Sequence, residues 1–519
     1  MSDGPPRSQP VIVDRAAIRA GETRHYPLET IPDDIVREIF LQSLPAHGSV
    51  QPSRYSVPLV LAQICARWRE VSLGTVQLWN SVDFTLPHSE GIVQLLHTWF
   101  RRAKAHPLSL TVRCPRACVV LPAGLIPLIK KYAPQFSSLA LSVPSSQWAE
   151  FISAFSGPFP TLRHLSLHIQ TQPGYPNQTE VFPAFADMPQ LEELHIHIIS
   201  SFSSLRIRSK TLTTLKLMKP IDIEEFEEIF RSLPNLRYLS LPHVGMRTPR
   251  PAAITYPLPL ESLCLSAALY LDAVTLPHLR NLDVVLHNLP AITALCYFIS
   301  RSGCTLVDLT LRDHVTHPFW AMTSIGWPLT AVFQAIPSLT SLRLHFTGNS
   351  GIRTIYSVLQ STTILPSLQH LAIGLGTPYL AIVESLPQLG DTMMASPHTP
   401  SYYTPVVIRG GSGVTYTYGY EYDRVASMLS ARAPGTQLKS FSFTLQPTFH
   451  FLQANNPIAA EPFIPCGAPA AKIAQLQGDG LDVRVRVPLA GAPAPTIYWP
   501  SRGAEDAEIL AFPACEGGE

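Results

Sequence analysis

From about residue 136 the hydrophobic and polar positions fall into a recurring pattern. The stretches PTLRHLSL, PQLEELHI, PNLRYLSL, PHLRNLDV, PSLTSLRL and PSLQHLAI share the form Pro-x-Leu-x-x-Leu-x-Leu/Ile/Val. Looser copies are KTLTTLKL, LPLESLCL, CTLVDLTL and FSSLALSV. Their leading apolar residues are Phe136, Leu162, Leu191, Leu212, Leu236, Leu260, Leu279, Leu306, Leu339 and Leu368, spaced 19 to 33 residues apart. Alternation within each copy, as at Leu165 and Leu167, predicts a short strand with one buried face. Between copies the spacing is helical: Trp148, Phe151, Ile152, Phe155; Phe226, Ile229, Phe230, Leu233; Ile292, Leu295, Cys296, Ile299; Leu329, Val332, Phe333, Ile336. A proline after several of these helices stops the helix, and the strand begins two residues later.

Strand, turn and helix in repeated units predict an α/β solenoid whose strands form one curved parallel sheet. The pattern resembles leucine-rich repeats in its L-x-x-L-x-L half. The asparagine that bends the chain after the strand in that family is mostly missing here, so looser turns are expected. The alternative with the same alternation is a doubly wound α/β domain. An enzyme of that fold would show a glycine-rich phosphate loop after an early strand, and none is present; RGGSG lacks the Lys-Ser/Thr of a P-loop. After Leu389 a Pro-, Gly-, Ser- and Tyr-rich stretch reads as a loop insertion over about 390–420. A possible helix at Val425 and Leu429 leads into another strand copy, LKSFSFTL. From about 455 the chain is an Ala/Pro/Gly-rich tail with one strand candidate, LDVRVRV, a candidate cap for the open edge of the sheet.

The N-terminal pattern differs. In IPDDIVREIF, Pro32 suits the first helical position and Asp33 and Asp34 suit the helix dipole. Ile35, Val36, Ile39 and Phe40 crowd the helix, with Ile35 and Ile39 expected to face inward and Phe40 and Leu44 left for a partner. After a polar loop, a second helix from Pro58 carries Leu61, Ile64, Cys65, Trp68 and Val71 on one side, followed by Leu78-Trp79. This order of elements resembles the F-box over about fifty residues: Ile31-Pro32 for the usual Leu-Pro, Ile39-Phe40 for the first helix, Ile64-Cys65 with Trp68 for the second, and a closing Leu-Trp. Ile31 in place of leucine and a longer interhelical loop depart from the family. The organisation predicted is 1–24 disordered, 25–82 an F-box-like helical domain, 83–454 the solenoid, and 455–519 the tail.

An F-box followed by leucine-rich repeats resembles the substrate receptor of a cullin–RING ubiquitin ligase. That resemblance implies a Skp-type adaptor, and through it a cullin, bound by Ile31, Pro32, Ile35, Ile39, Phe40, Leu61, Ile64, Cys65, Trp68 and Trp79. It also implies a target protein held by the repeats and no chemistry by the chain itself. The alternative is a non-catalytic repeat scaffold or inhibitor whose N-terminal helices only cap the solenoid.

Composition narrows the classes further. Charged residues are 14% of 519 and hydrophobic ones 46%, which requires a large regular core. A net charge of +1 gives no reason to expect nucleic acid. Eight cysteines lack metal or disulfide spacing, and no secretory leader or membrane span is evident, so a soluble cytoplasmic or nuclear protein is expected. Neither a catalytic triad nor a paired-carboxylate motif stands out, and no enzyme activity, cofactor or metal is expected.

The positions between the strand leucines define the candidate substrate face, expected on the concave side. They bring His164, Ser166 and His168 beside Glu193, His195 and His197, with His168 next to His197 and His195 opposite Ser166. A ligand held there is expected to bind with a pH dependence between about 5 and 7. Lys216, Tyr238, Asn281, Asp283, Asp308, Arg312, Arg343, His345 and His370 continue the face, whose mixed sign suits a protein surface.

Overall fold

The structure is a computed structural model. It describes residues 31–45, 49–53, 55–86, 91–114, 120–144, 147, 159–170, 188–197, 209–218, 221–241, 254–255, 259–286, 289–313, 326–346, 352–376, 382–383, 406–409, 415–418, 422–432, 437–446, 467–487 and 496–499. The chain divides into two compact units, residues 1–162 with 170–172, and residues 163–169 with 173–519. The F-box-like segment expected over 25–82 and the start of the repeats expected at 83 both fall within the first unit.

The first unit begins with α1 (Asp33–Gln42), α2 (Val57–Ile64) and α3 (Ala66–Gly74), then a single 3-10 turn over Val76–Trp79. Pro32 is the residue that caps α1, with ψ 147°, rather than its first helical residue. The single helix expected from Pro58 to Val71 is two helices. Cys65 between them is extended, and its Sγ accepts the Trp68 N–H at 3.4 Å, so it caps α3. Strands β1 (Ser81–Thr85), β2 (Leu108–Arg113) and β3 (Phe136–Pro144) pair in parallel, separated by α4 (Ile92–Ala103) and α5 (Leu125–Tyr132). Ile92, Leu96, Trp99, Phe100 and Ala103 bury one stripe of α4.

The second unit holds β4 (His164–Gln170), β5 (Glu193–Ile196), β6 (Thr214–Leu217), β7 (Tyr238–Leu241), β8 (Ser262–Leu265), β9 (Asn281–Leu286), β10 (Asp308–Asp313), β11 (Ser341–Phe346), β12 (His370–Gly376), β13 (Ser440–Gln446) and β14 (Asp482–Val487). These eleven are parallel and stand side by side in chain order. A doubly wound sheet reverses its strand order at a switch point; this one does not. One antiparallel strand, β15 (Thr496–Trp499), closes the far edge. The helices are α6 (Ile223–Ser232), α7 (Leu289–Ser302), α8 (Gly326–Gln334), α9 (Ile352–Gln360), α10 (Tyr422–Arg432) and α11 (Gly467–Gly478). Asp222 and Glu225 form a reciprocal capping box that starts α6, with the Glu225 N–H donating to Asp222 at 2.8 Å.

The leading residues of the ten repeat copies are all buried to within 1% of full exclusion from solvent. Phe136 opens β3, and each of the others precedes its strand. The helical spacing expected at 148–155 lies outside the described residues, as do residues 1–24. The segment 390–420 is more than a loop: Val406–Arg409 and Thr415–Tyr418 pair antiparallel, with Ile382–Val383 on the other side of the latter. The sheet also continues past residue 454, because α11 and β14 form one more helix and strand of the same kind.

In the turns before the strands, side chains bond back to carbonyls of the preceding repeat copy. Thr161 donates to the carbonyls of Pro134 and Phe136, both at 2.9 Å, and Thr211 to those of Pro189 and Leu191, at 3.0 and 2.9 Å. Asn235 and Ser338 reach back in the same way to Lys210 and Leu306. These are the variable residues between proline or lysine and the leading leucine.

Candidate functional site

Two surfaces carry the residues singled out by the sequence. The first is the polar face of the second unit's sheet. Register aligns one row from His164 through Glu193, Thr214, Tyr238, Ser262, Asn281, Asp308, Ser341 and His370 to Ser440. A second row runs from Ser166 through His195, Lys216, Ser240, Cys264, Asp283 and Thr310 to Arg343. The leucines between these rows are buried; of the second row Ser240 and Thr310 are buried too, while His164, Glu193 and Tyr238 of the first row are half-buried.

At the start of the face, His164 Nδ1 lies 3.3 Å from Glu193 Oε2. The rings of His168 and His197 are 4.7 Å apart between centroids. Both pairings are the ones the strand register predicts. His195 behaves differently. Its Nε2 is buried without a hydrogen-bond partner, and burial, reinforced by the Lys216 ammonium, pushes its pKa down to about 4. Glu193 works in the opposite direction and does not prevail. The burial of this ring and its register partner Lys216 are not visible in the strand pattern of the sequence. No group of three or more His, Cys, Asp or Glu residues suited to a metal occurs among the described residues.

Further along, Arg312 Nη2 binds Asp283 Oδ2 at 2.6 Å and Arg343 Nη2 binds Asp308 Oδ2 at 3.0 Å. Each pair joins adjacent strands across the face. Burial raises the Asp283 carboxyl despite the opposing pull of Arg312. His345, flanked by both arginines, is pushed down to about 4, chiefly by burial. Lys216 sits 5.4 Å over the Tyr238 ring, and His370 shares a 2.8 Å hydrogen bond with Ser440.

The second surface is that of α1 and α2. Ile35, Ile39 and Ile64 are 50%, 40% and 46% exposed, Pro32 is exposed, and Ile31 and Cys65 are half-buried. Phe40 and Trp79 are wholly buried, and Leu61 and Trp68 nearly so. This inverts the arrangement expected for α1. Val36 and Phe40 face inward, Ile35 and Ile39 face outward, and Leu44 is half-buried. The reason is the packing of α3 against α1: the Phe40 ring meets Trp68 edge-on at 5.1 Å, and Arg67 bridges to Asp33 at 2.6 Å. Trp79 is held inside by its Nε1–H bond to the Ser72 carbonyl at 2.9 Å and by Trp99 at 4.8 Å. Phe40, Leu61, Trp68 and Trp79 are therefore core rather than contact residues.

The described cysteines are free thiols, and no helix among the described residues is long and apolar enough to cross a membrane. No family model matches the chain, and no curated protein matches it.

Proposed function

We propose that this chain is the substrate-recognition subunit of a Skp–cullin-type ubiquitin ligase. In this reading α1 to α3 are an F-box that docks on a Skp-type adaptor, and the second unit is an irregular leucine-rich-repeat solenoid that presents a target protein. The chain supplies binding and no catalysis. One observation carries the proposal: of nine large apolar side chains exposed among the described residues, six lie between Ile35 and Leu73. Ile35 with Ile39, and Val60 with Ile64, are pairs one turn apart on two helices, which is how a helical docking face is built. A helical cap that only closed the repeats leaves these side chains in water with no role, and clustered apolar exposure on a monomer is a liability.

The mixed charges and paired arginines of the polar sheet face support its assignment to a protein target. Coexpression of the full chain with a Skp-type adaptor tests the proposal. Copurification in a one-to-one complex is expected. A folded chain that fails to retain the adaptor overturns the ligase reading in favour of a repeat scaffold.

A further inference from the structure

Between Gly91 and Ala149 the chain contains no aspartate or glutamate, while it holds Arg101, Arg102, Lys104, Arg113, Arg116, Lys130 and Lys131. A protein of net charge +1 thus concentrates seven positive charges in one segment, and the remainder carries a net −6. The segment includes α4 and α5, and the exposed cations Arg101, Lys104, Lys130 and Lys131 cluster at the ends of these two helices. Among the described residues none of these four has an acidic partner, whereas Arg113 is paired with Asp83 at 2.6 Å. Basic last turns complement helix dipoles. That accounts for where the cations sit and not for the absence of aspartate and glutamate from the whole segment.

The same two helices frame a groove of about 410 Å³ with an apolar floor of Val93, Pro127 and Leu128. At its edge the Lys131 ammonium lies 2.7 Å from His97 Nε2, so it meets a ring nitrogen where, among the described residues, no carboxylate is paired with it. We infer that the α4–α5 face is a second docking surface, one that binds an acidic segment of a partner protein carrying an apolar anchor. The anchor fills the groove, and the flanking carboxylates meet Lys131, Lys130 and the Arg101–Lys104 corner. Nucleic acid fits less well, because the aromatic residues of these helices, Trp99, Phe100 and Tyr132, are buried and offer nothing for bases to stack on. A membrane surface fits less well because neither helix exposes a large apolar side chain for insertion. The inference does not depend on the adaptor reading, which rests on other helices.

The test uses the full chain and a fluorescein-labelled peptide of glutamates flanking a central Leu-Leu pair, read by anisotropy. Binding is expected to weaken steeply between about 50 and 200 mM salt. Lys130→Glu with Lys131→Glu should weaken it about tenfold or more, and Arg101→Glu with Lys104→Glu should do likewise. All four positions are exposed, and an unchanged urea midpoint confirms folding. Replacing the two leucines of the peptide by serines should also lose affinity, and Val93→Gln should remove that difference. Ile35→Asp with Ile39→Asp should leave peptide binding intact even where it abolishes adaptor binding. The proposal is overturned if both charge reversals leave binding unchanged, if the leucines make no difference, or if duplex DNA or phosphatidylserine vesicles bind more tightly than the peptide at equal salt.

Discussion

The imidazole of His345 occupies the space above Gly374 on the neighbouring strand: a Cβ built at Gly374 falls 2.6 Å from His345 Nδ1. The two residues are direct partners in the parallel register of β11 and β12. Gly374 is in ordinary backbone conformation, so its missing side chain, not its dihedral freedom, is what the fold uses. Gly374→Ala is expected to cost about 1–3 kcal/mol by forcing the ring from its site between Arg312 and Arg343. In a His345→Ala background the same substitution should cost less than about 0.5 kcal/mol, since the clash is gone. A double-mutant cycle by urea unfolding measures the difference, and equal costs in the two backgrounds would refute the contact.

A second expectation concerns Arg432, which is almost entirely buried at the end of α10. Its guanidinium donates to the carbonyl of Leu359, in the last turn of α9, and to those of Ser361, Ile364 and Leu365 in the turn that follows it. Leu365 adopts a left-handed φ of 52°, which fits a chain bent around that guanidinium. Arg432→Met should destabilise the chain by about 2–4 kcal/mol, because four carbonyls lose a charged donor at once and those of Ser361 and Leu365 keep only a backbone N–H. Arg432→Lys should recover only part of this, having a point charge in place of a fork. Amide exchange should quicken first in α9 and α10.

The third concerns pH. His195 and His345 both have folded-state pKa values near 4, against about 6.5 for free imidazole. As pH falls through that interval the unfolded chain takes up protons that the folded chain refuses. The stabilisation is complete above about pH 6.5 and is lost as pH drops towards 4. With solvent screening allowed for, each ring should remove about 1 kcal/mol between pH 7 and pH 5. His195→Asn with His345→Asn should flatten the fall in urea midpoint over that range. Ring-proton NMR provides the direct check: both rings should titrate close to pH 4, and a midpoint near 6.5 for either would contradict its burial.

The fold was legible wherever a residue's role depended on period. The leading leucines, the strand register and the His168–His197 contact all follow from the alternation of L-x-x-L-x-L. What could not be read was depth. His195 and His164 occupy the same face, yet only His195 is desolvated, because Lys216 and the strands on both sides crowd it. The back-bonding of Thr161 and Thr211 was hidden because their positions vary between copies. The split at Cys65 and the outward turn of Ile39 were hidden for a related reason. A helix with apolar residues around a wide arc does not reveal which of them its neighbours will cover, and here the Phe40–Trp68 contact decides it.

The last expectation separates folding from docking on α1. Ile39 is partly exposed, while the adjacent Phe40 is fully buried against Trp68. Truncating Phe40 to alanine removes a core ring and should cost about 3–5 kcal/mol, so loss of adaptor binding in that variant would report unfolding of the helices. Ile35→Asp, Ile39→Asp and Ile64→Asp change only exposed positions, and each should leave the unfolding free energy from urea titration within about 0.5 kcal/mol of the parent. If these side chains form the centre of a protein interface, each should weaken adaptor binding by about 2 kcal/mol or more, some thirtyfold. The discriminating measurement is the pair of values for a single variant. A chain with Ile39→Asp that is as stable as its parent and still binds the adaptor with unchanged affinity would remove α1 from the interface, and with it the main support for the F-box reading.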